Sequence, residues 1–194
     1  MIKKVGELVE KGLQLQAVAT SKSTENLAKE LNIPLVDIDE VDKIDLAIDG
    51  VDGVDEIDSE FNAIKGGGGA LFREKIVATL AKEVIWIMDE SKLVDNIGQF
   101  PLPVEILPYG YTHVIKELQS YSYNPVLRIK DNKTFITDNG NYIVDLHIGK
   151  PMDIERVYKQ VTSITGVLEV GLFLNTCNRI IVGYENRVRV VENN

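Results

Sequence analysis

Two runs constrain this chain more than any other feature: IDLAI at residues 44–48 and the fully apolar VIWIM at residues 84–88. Both are strand-sized and nearly free of polar alternation. Strands of that kind are covered on both faces, which in a water-soluble chain means a parallel sheet lying between helices. Helical spacing around them agrees. Ile2, Val5, Leu8 and Val9 share one face of a helix over residues 1–11 that Gly12 stops. Thr20, Ser21, Ser23 and Thr24 offer N-caps for a second helix ending near Asn32, with Pro34 just beyond. Residues 15–19 and 35–38 read as short strands. The glycines at 66–69 open a further helix whose buried stripe is predicted at Phe72, Ile76, Val77 and Leu80. The expectation is an α/β fold with a doubly wound parallel sheet.

The texture changes near Phe100, where QFPLPVEILPYG carries three prolines. Tyr111, Val114, Ile115 and Leu118 then keep helical spacing. Strands at 126–129 and 134–137 flank Asp131-Asn132, a hairpin signal, and residues 138–141 make a second tight turn before a strand at 142–147. Ile154, Val157, Tyr158 and Val161 mark a helix capped by Asp153, and strands near 180–182 and 188–191 close the chain. Residues 1–99 plus 175–194 are expected to form the α/β catalytic domain, and residues 100–174 a smaller α+β domain.

Composition narrows the function. The 194 residues carry 30 acids and 21 bases, a net charge of −9, which disfavours a broad nucleic-acid-binding face. No apolar run approaches the length of a membrane span, and the N-terminus lacks the apolar core of a signal peptide. The single cysteine, Cys177, fits a reducing cytoplasm, and with two isolated histidines, His113 and His147, it forms no metal-ligand cluster.

The chemistry gathers in residues 43–75. Asp49, Asp52, Asp55, Glu56 and Asp58 follow the first apolar strand, and Lys65 stands directly before Gly66, Gly67, Gly68 and Gly69. Open α/β sheets bind ligands beyond the carboxyl ends of their strands, and the loops at 20–24, 49–58 and 89–92 all lie there. Glu74 in the first turns of the following helix suits a general base beside a carbonyl, although the helix dipole alone also favours a glutamate there. Nearby aspartates can be driven to different pKa values and so to different tasks. Lys65 and the bare N–H groups of the glycines can offset a developing oxyanion or hold a phosphate, with Lys92 as a second positive contact. DGxDGxDE also suggests a calcium loop, but the twelve-residue spacing and terminal glutamate of an EF-hand are absent. The combination suits a small, anionic, polyhydroxylated substrate.

Four motifs in order, DGVDEI at 52–57, IKGGGGALFREK at 64–75, DESKLVDNIGQFPLPVEI at 89–106 and TDNGN at 137–141, closely resemble ribose-5-phosphate isomerase of the A type. The resemblance extends over essentially the whole chain. It implies a Rossmann-like fold, no metal or organic cofactor, a cytoplasmic homodimer or homotetramer, and interconversion of D-ribose 5-phosphate and D-ribulose 5-phosphate. Carried over by motif, Glu74 moves the proton between C1 and C2 through an enediolate. Asp52 and Asp55 contact the sugar and help to open its ring, with Gly53 and Val54 beside them. Lys65, Gly66, Gly67 and Gly68 bind substrate and offset charge, and Lys92 holds substrate too.

This chain departs from the pattern twice. It has DGV twice, so register from Asp55-Glu56 makes Asp52 the first functional acid, whereas register from the strand makes it Asp49. The family's opening strand and its phosphate-binding loop, roughly GxGTGST, are missing, and that strand would lie in the middle of the sheet. The expectation is weakened phosphate affinity, or an inactive truncated isomerase. A non-catalytic sugar-phosphate sensor domain is the competing reading, and a sensor has no need of a base such as Glu74.

Overall fold

The computed structural model describes residues 1–50 and 54–193. In chain order the helices are α1 (Ile2–Glu10), α2 (Lys22–Glu30), α3 (Leu71–Leu80), α4 (Tyr111–Ser120) and α5 (Ile154–Thr162). The strands are β1 (Ile44–Asp49), β2 (Val54–Ile57), β3 (Ala63–Lys65), β4 (Ala81–Asp89), β5 (Leu102–Ile106), β6 (Pro125–Leu127), β7 (Ile129–Lys130), β8 (Lys133–Thr134), β9 (Tyr142–Leu146), β10 (Val167–Val170), β11 (Leu172–Phe173), β12 (Arg179–Gly183) and β13 (Val188–Glu192). Local signals set several boundaries as expected. Gly12 takes φ 101 after α1, Ser21 Oγ accepts from the Thr24 N–H at the start of α2, and Asp153 accepts from the Arg156 N–H at the start of α5. Asp131 and Asn132 both adopt positive φ between β7 and β8, the conformation a tight hairpin demands.

The first sheet has the order β1-β4-β12-β13. Its apolar centre, β4, pairs in parallel with β1 on one side and β12 on the other, while β13 adds an antiparallel edge. Trp86 and Met88 are 0% and 1% exposed, as a strand flanked on both edges requires. The fold is therefore α/β and Rossmann-like. Among the described residues β1 has no partner on its outer edge. Residues 15–19 and 35–38 do not become strands; they share one parallel bridge, Ala17 to Leu35. Pro34 beside it has no N–H to extend a ladder, and Ile38–Glu40 winds into a 3-10 turn in which the Asp37 side chain accepts the Asp39 N–H.

The second sheet, β10-β5-β9-β6, is antiparallel and packs against α4 and α5. Val104, Ile106, Val144 and Leu146 meet Val114 and Leu118 of α4 and Val157 and Val161 of α5 in one core. A three-stranded sheet, β11-β3-β2, lies between the two cores. Alternation along these short strands serves both sides: Ile64 and Leu172 join the core of the second sheet, whereas Ala63 and Phe173 join that of the first.

The helix α3 is rotated relative to the predicted stripe. Leu71 is its fully buried residue, whereas Ile76 is 38% exposed. With Phe72 and Val77, Ile76 lines a groove of about 540 Å³ against Val18, Ala19 and Val36. The reason lies in the next three side chains: Arg73, Glu74 and Lys75 all have partners on other elements, and satisfying them sets the rotation. Phe173 ties the layers together, edge-on to Trp86 at 6.3 Å between ring centroids. Phe173→Ala is expected to remove about 3–5 kcal/mol of stability in urea unfolding; a loss under about 1 kcal/mol would show that this contact is not structural.

Candidate active site

Lys65 ends β3, and the period of two that points Ala63 into the first core points Lys65 there as well. Its side chain is 0% exposed, with the ammonium 5.7 Å from the Trp86 ring and 5.2 Å from that of Phe173. A buried ammonium needs carboxylates around it. Asp49, the last residue of β1, lies 2.9 Å away through Oδ2, and Glu74, in the first turn of α3, lies 3.2 Å away through Oε2. Three elements thus converge on one nitrogen.

The two carboxylates share a single lysine. Burial would lower the Lys65 pKa, but Glu74 and Asp49 outweigh it and hold the ammonium above its ordinary value. Burial raises the pKa of Glu74; the charge of Lys65 opposes that shift and the charge of Asp49 reinforces it. Although near Lys65, Glu74 Oε2 has no hydrogen-bond partner among the described residues. Its contact with Lys65 is an ion pair at 3.2 Å.

Asp55 and Glu56 are neighbours in β2, and strand alternation sends them apart. Asp55 Oδ2 accepts the Gly67 N–H at 2.8 Å. Burial raises the Asp55 pKa, opposed by that N–H and by the charges of Lys65, Lys92 and Arg128, which places all three cations around it. Glu56 instead accepts the N–H groups of Gly98, Gln99 and Phe100 at 2.7, 3.1 and 3.0 Å, a structural clasp. Val54 is wholly buried and pairs with Lys65 across β2 and β3. Asp52 and Gly53 lie outside the described residues.

The glycine run is shaped by its surroundings. A Cβ on Gly67 would come within 2.5 Å of Asp55 Oδ1, and one on Gly69, at φ +83, would meet the Phe135 ring at 2.5 Å. Gly68 faces open space, with nothing within 4 Å of an added Cβ. Arg128 was not among the sequence candidates. Its Nη1 donates to the carbonyls of Gly66 and Gly67 at 2.9 and 3.0 Å, while its Nε and Nη2 grip Asp145. It thereby holds the loop's oxygens away from the side on which the Gly67 N–H meets Asp55. An arginine in a strand-like run carries no signal of this kind, because its partners lie far away in sequence.

Other candidates fall outside this cluster. Asp89 is engaged by Ser91, whose N–H and hydroxyl lower its pKa. Cys177 is buried, its thiol donating to the Arg179 carbonyl, and burial pushes its pKa to about 11, so it is no nucleophile. His113 and His147 are exposed. Among the described residues no helix is long and apolar enough to cross a membrane.

Comparison with known proteins places this arrangement. The sequence model of the Ribose 5-phosphate isomerase A (phosphoriboisomerase A) family matches residues 16–187. The chain belongs to this family. It is similar to the Ribose-5-phosphate isomerase A of Bacillus mycoides, 49% identical over 189 residues, a match covering 97% of this chain and 84% of that protein. A D-ribose-5-phosphate isomerase solved in complex with phospho-erythronic acid superposes with a TM-score of 0.90 at 38% identity, covering 98% of this chain and 84% of the other. The ribose 5-phosphate isomerase of Plasmodium falciparum superposes at 0.91 with 35% identity, over 98% of this chain and 84% of the other. Isomerase chemistry is thus the framework in which Lys65, Glu74 and the aspartates are interpreted.

Contacts around the loop separate two adjacent glycines. Gly67→Ala is expected to cost about 1–3 kcal/mol by displacing Asp55, whereas Gly68→Ala leaves the unfolding midpoint nearly unchanged. Thermal unfolding of both variants checks this, and equal losses would refute it.

Proposed function

We propose that Glu74 is the base with which this chain interconverts D-ribose 5-phosphate and D-ribulose 5-phosphate. The observation that carries the reading is the Lys65 ammonium, buried between the carboxylates of Asp49 and Glu74. Starting from the aldose, the Glu74 carboxylate takes the proton from C2 of the open-chain sugar. Negative charge then builds on the C1 oxygen, and a fixed ammonium in a water-poor site stabilises that charge more than bulk water would. The same carboxyl returns the proton to C1, and the C2 hydroxyl proton passes to the C1 oxygen, giving the C2 ketone and C1 hydroxyl of the ketose.

Asp49 and Asp55 serve the sugar hydroxyls and ring opening. The ion pair between Asp49 and Lys65 supports a role for Asp49, while Asp52, the first functional acid by register from Asp55-Glu56, lies outside the described residues. The glycine loop, Gly66, Gly67 and Gly68, belongs to the substrate-binding side of the site in this reading, together with Gly53, Val54 and Lys92, whose charge acts on Asp55. Pairing of β12 with β4, and of β5 with β9 and β10, supports a division into residues 1–99 plus 175–194 and residues 100–174. A cytoplasmic homodimer or homotetramer belongs to the same reading, and light scattering of the purified chain tests the assembly.

Glu74→Gln is expected to lower kcat by at least about 10²–10⁴-fold and to abolish exchange of the substrate C2 proton with solvent, while ribose 5-phosphate still binds. Exchange that survives the substitution would remove Glu74 from the role of base. The raised Glu74 pKa also sets the sign of the pH dependence. The base must be ionised, so activity is lost as pH falls through a value above the ordinary 4.5 of a glutamate. Lys65, held above 10.5, stays charged throughout the neutral range. A pH–rate profile with its acid limb at or below 4.5 would contradict this assignment.

A further inference from the structure

Glu74 must be held to within a fraction of an ångström, yet the start of its helix offers little to hold it. Four glycines precede α3, and its N-cap, Ala70, makes no side-chain capping bond. The rotation of the helix is set from both sides of Glu74. On one side Lys75 Nζ donates to Glu169 Oε1 and to the carbonyls of Val170 and Leu172, at 2.8, 2.6 and 2.9 Å. On the other side Arg73 Nε donates to Asn139 Oδ1 at 2.7 Å, and its Nη2 donates to the Asp138 carbonyl at 3.2 Å.

Asn139 lies in an exposed turn, so by itself it would be a poor anchor. It is fixed from beneath. Its Nδ2 donates to Glu105 Oε1 at 3.1 Å, and Glu105 is 0% exposed in the middle of β5. The same oxygen accepts Thr137 Oγ1 at 2.9 Å and Asn141 Nδ2 at 2.8 Å. Thr137 Oγ1 in turn accepts the N–H groups of Asn139 and Asn141, which closes the turn. A buried carboxylate is costly, and the second oxygen of Glu105 has no hydrogen-bond partner among the described residues. Packing of β5 alone would be served as well by an apolar side chain. What a carboxylate oxygen adds is the capacity to collect three donors at one point, and those donors define the turn that receives Arg73.

We propose that Glu105 is a positioning residue for catalysis: through Asn139 and Arg73 it sets the rotation of α3 and so the place of Glu74 against Lys65 and the substrate. The inference rests on the reading of Glu74 as the base. It gives a role to the TDNGN turn, which is bonded to Arg73, the residue adjoining the base. Loss of the strut leaves the binding groups in place while the base moves, so its effect falls on kcat rather than on KM.

The test compares Glu105→Gln, which puts an amide where Oε2 lacks a partner, with Asn139→Ala, an exposed substitution that leaves the core untouched. Both are expected to lower kcat about 10–100-fold with KM within about twofold. The double variant is expected to be no worse than the poorer single one, because both break the same path. In a Glu74→Gln background, Asn139→Ala is expected to have no further effect. Wild-type kcat in folded Asn139→Ala, a loss in KM alone, or an undiminished effect of Asn139→Ala when Glu74 is already Gln would each overturn the proposal. Failure of the base reading shows separately, as turnover by the Glu74→Gln variant alone.

Discussion

Burying a lysine ammonium completely costs on the order of several kcal/mol unless carboxylates surround it, and at Lys65 that requirement dictates where three elements meet. Asp49 arrives from the end of a parallel strand, Glu74 from a helix, and Lys65 from a short antiparallel sheet between the two cores. None of these contacts is local. The charge that would destabilise the folded chain becomes, once surrounded, a fixed electrostatic site beside a carboxylate whose pKa burial has raised. Stability and the proposed chemistry therefore rest on the same convergence, and Trp86 and Phe173 complete the dry side of it.

Around this centre the second sheet acts as a frame. Arg128 reaches from beside β6 to the carbonyls of Gly66 and Gly67, Phe135 occupies the space that Gly69 leaves, and the 137–141 turn receives Arg73. Lys75 reaches back to β10 and β11. A loop of four glycines has little conformational preference of its own, so its geometry is borrowed from these neighbours. REK shows the same logic within three residues: successive side chains on a helix diverge by about 100°, and here they reach the turn, the lysine and the strand pair in sequence.

Much of this was legible beforehand. Near-continuous apolar runs located β1 and β4 in a parallel sheet, capping residues located α2 and α5, and Asp131-Asn132 located a hairpin, because each rests on local backbone or solvation physics. The same reasoning failed at 15–19 and 35–38, where strand-like composition had no ladder to join, and at Ile76, where the demands of three charged neighbours overrode the apolar stripe. It also missed Arg128 and the Glu105 network, whose partners are separated by 17 to 62 residues.

The order of motifs, the acids after the strands, the lysine beside the glycines and the glutamate in the next helix were determined by the sequence itself, and with them the family and its chemistry. Tertiary structure decided which of those charges meet. Asp49 reaches Lys65, Glu56 turns away to clasp residues 98–100, and Glu74 keeps an oxygen without a hydrogen-bond partner among the described residues. The physical reason is that a charge's role depends on its distance to other charges and on its exposure to water, and both are set by elements far apart along the chain.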